Sequence, residues 1–299
     1  MIVLLDRVEH LTDRPGIESG AAGVARVVRT RTEPWYRFVV AVLRPSLILA
    51  ARRDWTGQRN LPAEGGVVVV PNHISHIDPL MVGHFLYDLG RPPRFLAKAS
   101  LFDVPFVGRV LRGAGQIPTY RETREAGSAL RAAVAAVRAG EVVVVYAEGT
   151  LTRDRRLWPM AGKTGAARIA LTTGAPVLPM AVWGPQDLLP PYAKRPRFVP
   201  RSTMHVRLGP PVDLSDLAAA VEQSEQGERA GGGQVDRAMT AQTLQVATDR
   251  IMDAVTELLA ELRDEQPPVN RLDPRAADLS TSGDAHVAYD LHSRRERGR

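Results

Sequence analysis

The chain has 299 residues, 44% of them hydrophobic and 24% charged, which is the balance of a soluble globular protein with ample core for one large domain or two small ones. Its net charge of +6 rests almost wholly on arginine, because Lys98, Lys163 and Lys194 are the only lysines, and arginine-rich proteins suit phosphate-bearing partners, whether nucleic acid, anionic headgroup or phosphorylated substrate. The lack of cysteine excludes disulfides, zinc–thiolate sites, iron–sulfur ligation and a cysteine nucleophile.

Residues 1–33 mix Arg, Gly and acidic groups without periodicity and are expected to form a flexible tail. Met1–Leu5 is too short an apolar run for a signal-peptide core, and no stretch of about 18 apolar residues suggests a spanning helix. Residues 34–60 read as a helical segment that docks on a membrane interface, with Trp35, Tyr36, Phe38, Val39, Val42, Leu43 and Leu47 set among Arg37, Arg44, Arg52 and Arg53. An ordinary packing pair of helices is the other reading of the same pattern. Arg44-Pro45 is expected to split it into two short helical pieces.

From residue 61 to 264 strand and helix signals alternate. Strands are expected at Val67–Val70, Arg94–Ala97, Gln116–Pro118 (an edge), Glu141–Tyr146, Val177–Val182 and His205–Leu208. Helices are expected at Pro79–Leu89, Val104–Arg112, Glu125–Ala139, Thr164–Thr173 and Thr240–Arg263, with a flexible Gly-rich insertion from Gly227 to Gln234. Continuous apolar strands between helices argue an α/β fold with a mixed, mainly parallel sheet flanked by helices. Residues 265–299 lack apolar periodicity and are expected to be a disordered tail.

The block Asn72-His73-Ile74-Ser75-His76-Ile77-Asp78-Pro79 follows directly on the valine strand. On a continuous helix, His73 and Asp78 would point about 140° apart at roughly 100° per residue, so they meet only if the chain bends between them. A strand end followed by a turn and a helix start supplies that bend. The functional reading is an imidazole base oriented by a carboxylate. The structural reading is a capping box at Ser75-x-x-Asp78 opening a helix with Pro79. Ser75 as a covalent nucleophile is disfavoured, since no G-x-S-x-G elbow occurs. His73, His76 and Asp78 also invite a metal-dependent hydrolase, although such a site needs further ligands.

Strand 142–146 empties into Ala147-Glu148-Gly149-Thr150, with Arg153 and Lys163 beyond, a set of backbone donors and cations suited to an anion; a plain turn with solvated charges is the alternative. Gly115-Gln116-Ile117-Pro118-Thr119-Tyr120-Arg121 ends in an arginine that could equally pair with Glu122 or Glu125. Lys98, closing a short strand, is a second candidate phosphate ligand.

In this order the motifs resemble the glycerolipid acyltransferase family, typified by the 1-acyl-sn-glycerol-3-phosphate (lysophosphatidic acid) acyltransferases. The block from Asn72 to Asp78 resembles that family's N-H-x-S-x-x-D signature with its H-x4-D core. Gly115–Arg121 is similar to its second block, Tyr146–Thr150 to F-P-E-G-T, and Ala175–Val182 to its last proline-containing strand, together spanning roughly residues 67–185. Two departures stand out: Ala147 replaces the usual proline, and Leu151-Thr152 separate Thr150 from Arg153.

The resemblance implies a fatty acyl transfer from acyl-CoA or acyl-carrier protein to the free hydroxyl of a lysophospholipid, first 1-acyl-sn-glycerol-3-phosphate. It makes His73 the base, Asp78 its orienter, and Arg121, Glu148, Gly149, Thr150, Arg153, Lys98 and Lys163 the holders of the acceptor phosphate. No metal, further cofactor or nucleic acid is expected. The partner surface is an anionic membrane, with peripheral or monotopic attachment at the cytoplasmic face. Glycerol phosphate, another lysophospholipid or a glycolipid stand as alternative acceptors, and a non-catalytic lipid-binding protein as the rival of another class.

Overall fold

In this computed structural model, residues 34–119, 126–193, 195–197, 201–219, 234–274 and 276–277 are described. The expected tail 1–33, the residues 227–233 of the Gly-rich insertion, Arg121, and residues 278–299 lie outside them.

Seven strands form one sheet: β1 (Ala51–Thr56), β2 (Val67–Pro71), β3 (Pro93–Lys98), β4 (Ile117–Thr119), β5 (Val142–Val144), β6 (Val177–Trp183) and β7 (Ser202–Leu208). Their order across the sheet is β1-β7-β6-β2-β5-β3-β4. All neighbours run parallel except β6 and β7. The valine runs follow from burial on both faces. Val67 and Val69 pack with Val82, Phe85 and Leu86 of helix α2 (Asp78–Asp88) on one side. Val68 and Val70 pack on the other with Ala129 and Ala133 of α4 (Ala126–Arg138), Ala166, Ala167 and Ile169 of α5 (Gly165–Thr173), and Ala247, Ile251 and Val255 of the long helix α7 (Gln234–Arg263). The short helices α3 (Val107–Gly113) and α6 (Pro185–Leu188) complete the set used below.

β2 lies between β5 and β6, and the chain leaves it in opposite directions at different stages. It passes first to β3 and β4, returns to β5, and then crosses to β6 on the far side. Such a reversal leaves a crevice outside the carboxyl ends of the central strands, where open α/β sheets bind ligands. The segments after β2 and β5 both open there.

Two local expectations are corrected. Residues Pro34–Ala50 form one continuous helix, α1, with Pro45 inside it. Proline deprives the Ala41 carbonyl of its helical donor, but both residues are exposed, so that carbonyl can be hydrated. The helix is also fixed to the body. Trp35 packs on Gly113 of α3, where a Cβ would come within 2.2 Å of the indole. Tyr36 stacks on Tyr87 at 5.9 Å, and Arg44 pairs with Asp88 at 3.1 Å. Residues 51–56, expected to continue the helical segment, instead form edge strand β1 in parallel register with β7. Arg52, Arg53 and Asp54 are exposed there. Backbone hydrogen bonds make this strand, and its charged side chains suit a sheet edge, so apolar patterning had nothing to detect. Residues 265–274 run back against the molecule, where Ala161 N–H donates to the Leu272 carbonyl at 2.9 Å and Arg271 meets Asp249 at 3.4 Å.

Candidate active site

The register of the sheet assembles the site. Val69 pairs with Val144, so the chain just past β2 runs beside the chain just past β5. His73 and Glu148 thereby become neighbours: the His73 N–H donates to Glu148 Oε1 at 2.9 Å. On the other side, Asn72 carries the pairing with β6 past Pro71. Its side chain donates to the Val182 carbonyl at 3.0 Å and accepts from the Val182 N–H at 2.7 Å. Asn72 was read from sequence only as part of the block; a fully buried amide straight after an apolar strand is its signal.

The chain bends over residues 72–77 and α2 begins at Asp78. Asp78 is wholly buried. Its Oδ2 lies 3.0 Å from His73 Nδ1 and also accepts from the N–H groups of Ile74 at 2.6 Å and Ser75 at 2.8 Å. The structural and functional readings of this motif are therefore not exclusive, because one oxygen closes the turn and orients the imidazole. The Ser75 side chain does not cap α2, whose N-cap position is Ile77: its hydroxyl donates to the Leu189 carbonyl at 2.7 Å and accepts from the Ile77 N–H at 3.4 Å. With Nδ1 held by a carboxylate, the proton belongs on Nδ1 and Nε2 is left as the basic nitrogen. The ring also stacks on Tyr146, centroids 4.1 Å apart.

Glu148 braces this arrangement. Its second oxygen accepts from the Met160 N–H at 3.0 Å, and Thr152 N–H donates to the His73 carbonyl at 2.8 Å, so one loop grips both polar groups of the His73 backbone. Burial pushes the Glu148 carboxyl up from its usual 4.5 to about 8, against the pull of its two backbone donors. Both oxygens of Glu148 are occupied by the protein's own amides.

Arg153 is likewise buried. Its guanidinium lies over the Tyr192 ring at 4.9 Å and donates to the Tyr192 hydroxyl. Tyr192 itself, whose loop position offered no sequence signal, lines the cavity described next. Gly149 adopts φ +72°, and the Lys163 chain passes so close that a Cβ at Gly149 would sit 3.1 Å from Nζ. Lys98 is exposed at the end of β3.

His73, Gly149, Thr150, Lys98 and Lys163 all line one cavity of about 790 Å³. Its remaining wall is mainly apolar, supplied by Val39, Val40, Leu43 and Leu47 of α1, Leu80 of α2, and Val110 and Leu111 of α3. Of the residues expected at the site, the structure thus brings His73, Asp78, Gly149, Thr150, Lys98 and Lys163 together around or directly behind the cavity. Glu148 and Arg153 lie behind its wall. Among the described residues no three His, Cys, Asp or Glu side chains gather into a metal-binding set.

A sequence model described as acyltransferase matches residues 52–183. Over this stretch the chain is similar to the acyltransferase family. The matched stretch contains both the imidazole–carboxylate pair and the Glu148 loop. A 1-acyl-sn-glycerol-3-phosphate acyltransferase of Borreliella burgdorferi is 31% identical over 166 residues, covering 54% of this chain and 62% of that protein. A chloroplastic 1-acyl-sn-glycerol-3-phosphate acyltransferase of Brassica napus is 33% identical over 141 residues, 46% of this chain and 39% of that one. The chain thus spans less than two thirds of the length of these relatives. The fold is shared with the solved 1-acyl-sn-glycerophosphate (LPA) acyltransferase PlsC from Thermotoga maritima, with a TM-score of 0.50 at 23% identity over 74% of this chain and 76% of that chain.

Proposed function

We propose that this protein is an O-acyltransferase that moves a fatty acyl group from an acyl-thioester, acyl-CoA or acyl-carrier protein, to the free hydroxyl of 1-acyl-sn-glycerol-3-phosphate, giving phosphatidic acid. The observation that carries the reading is His73 Nδ1 held 3.0 Å from buried Asp78 at the wall of a largely apolar cavity. In this reading, His73 Nε2 takes the acceptor's hydroxyl proton as the oxygen attacks the thioester carbonyl. The tetrahedral intermediate collapses by breaking the C–S bond, and the departing thiolate takes the proton from His73. No resident cofactor is needed, because the thioester is a substrate.

The acceptor phosphate would lie among Lys98, Lys163, Thr150 and the Gly149 backbone, with Arg121 as a further ligand. Glu148 and Arg153 would act from behind, Glu148 by fixing the His73 backbone and Arg153 by holding Tyr192. The names of the relatives support lysophosphatidic acid as first acceptor, and the apolar wall suits a fatty chain. Among the described residues no helix is long and apolar enough to cross a membrane. α1 is proposed to attach the protein peripherally or monotopically to the cytoplasmic leaflet.

The test is a labelled acyl-thioester assay against lysophosphatidic acid, glycerol phosphate and other lysophospholipids. Replacing His73 by Ala is expected to lower turnover about 10²–10⁴-fold, the usual worth of a general base. Turnover equal to that of the parent protein would remove His73 from the chemistry.

A further inference from the structure

The loop between β3 and α3 carries an unusual turn. Phe106 has φ 67° and ψ −54°, and the Val107 N–H donates to the Pro105 carbonyl at 2.8 Å. That is a γ-turn of the rare, strained kind, in a backbone region where a bulky side chain is an outlier. Yet the ring does not repay the strain by burial: Phe106 is 58% exposed. Its ring meets Phe38 of α1 edge to face at 6.4 Å, and Phe38 is itself 46% exposed.

These two rings join a larger apolar surface. Phe38, Val42 and Leu49 lie along the outer side of α1, while Leu101, Val104 and Val107 are exposed on the loop. Exposed Arg37 is next to Phe38 in the chain and exposed Arg109 follows three residues after Phe106, against one exposed acid in the loop, Asp103. Leu101 also lines the cavity, as does the inner side of α1, so the patch borders the site rather than lying across the molecule from it. Contiguous exposed apolar surface marks an interaction site, and bordering cations favour an anionic partner.

We infer that Phe106 is a membrane anchor: the Leu101–Val107 loop and the outer side of α1 insert together into an anionic phospholipid leaflet, which sets the cavity beside the acyl layer. Two separate chain segments would then grip the leaflet, and the strained turn would hold the Phe106 ring outward. The inference builds on the acyltransferase reading by specifying how the site meets its lipid, but it is tested without turnover.

The experiment measures partition of the full-length protein onto phosphatidylcholine vesicles with and without phosphatidylglycerol. The variants are Phe106→Gly and Phe106→Trp, and melting temperature and light scattering are recorded in parallel. Glycine relieves the positive φ, so Phe106→Gly is expected to melt at the same or a higher temperature. Its partition onto the anionic vesicles should nonetheless weaken by about tenfold or more, from the loss of one buried aromatic side chain. Phe106→Trp should retain binding. Undiminished partition of Phe106→Gly would overturn the inference, as would light scattering showing that the substitution splits a dimer, since a second copy would then be the occupant. His73→Ala is expected to bind vesicles like the parent protein. Loss of partition on Phe106→Gly in a protein inactive with every acceptor would uphold the anchor and reject the reaction alone.

Discussion

At the scale of single residues, the site depends on buried acids whose neighbours assign them different work. Asp78 gives one oxygen to a turn and an imidazole, whereas Glu148 spreads its two oxygens over the amides of His73 and Met160. The raised Glu148 value has a consequence for stability. The folded protein holds that proton up to about pH 8, while an unfolded chain releases it near 4.5, so folding takes up a proton between those values. Stability from this group is therefore fully present below the lower value and is lost as pH rises through about 8. Melting temperatures measured by scanning fluorimetry should include a contribution that declines across this window. In Glu148→Gln that contribution should vanish. The variant should also be less stable at pH 6 by about 1–3 kcal/mol, because its amide NH₂ would face a backbone N–H where an acceptor is needed. A pH profile of the same slope in both proteins would show that Glu148 does not titrate as described.

At the scale of elements, α1 is the part most misread from sequence. Arg44-Pro45 signals a break, yet docking of Trp35, Tyr36 and Arg44 keeps the helix continuous through an exposed proline. The absent side chain of Gly113 makes that docking close. Gly113→Ala should push the Trp35 indole out of its seat and destabilise the protein by about 1–3 kcal/mol, the usual range for overpacking. Chemical denaturation would measure the loss, and a naphthalene-sulfonate dye should report newly exposed apolar surface as α1 loosens from the cavity. Unchanged stability and dye binding would mean that α1 is held mainly by the Arg44–Asp88 ion pair. β1 escaped the sequence reading for the opposite reason: Ala51–Thr56 is a strand by virtue of the β7 backbone beside it, and its side chains carry no apolar alternation.

At the scale of the whole molecule, the two ends of the sheet do different jobs. The end away from the cavity is tied by Arg91, buried and donating to the carbonyls of Pro62, Gly65 and Gly140, which lie ahead of β2 and β5. Arg91→Ala should cost about 1.5–3 kcal/mol or more, since hydrogen bonds from a charged donor are lost in a buried setting. It should leave the KM values for both substrates unchanged. A melting temperature equal to that of the parent protein would remove Arg91 from the framework, and a raised KM would show that the ends are coupled. What the sequence by itself determined was local: the buried valine strands, most of the helices, and the turn that lets His73 and Asp78 meet, because hydrophobic period and strand-end punctuation act over a few residues. Only the tertiary structure decided that Glu148 and Arg153 stand behind the wall, that Tyr192 closes on Arg153, that residues 51–56 are a strand, and that α1 roofs the cavity. Those facts depend on strand register and on contacts between segments far apart in the chain, which no local pattern encodes.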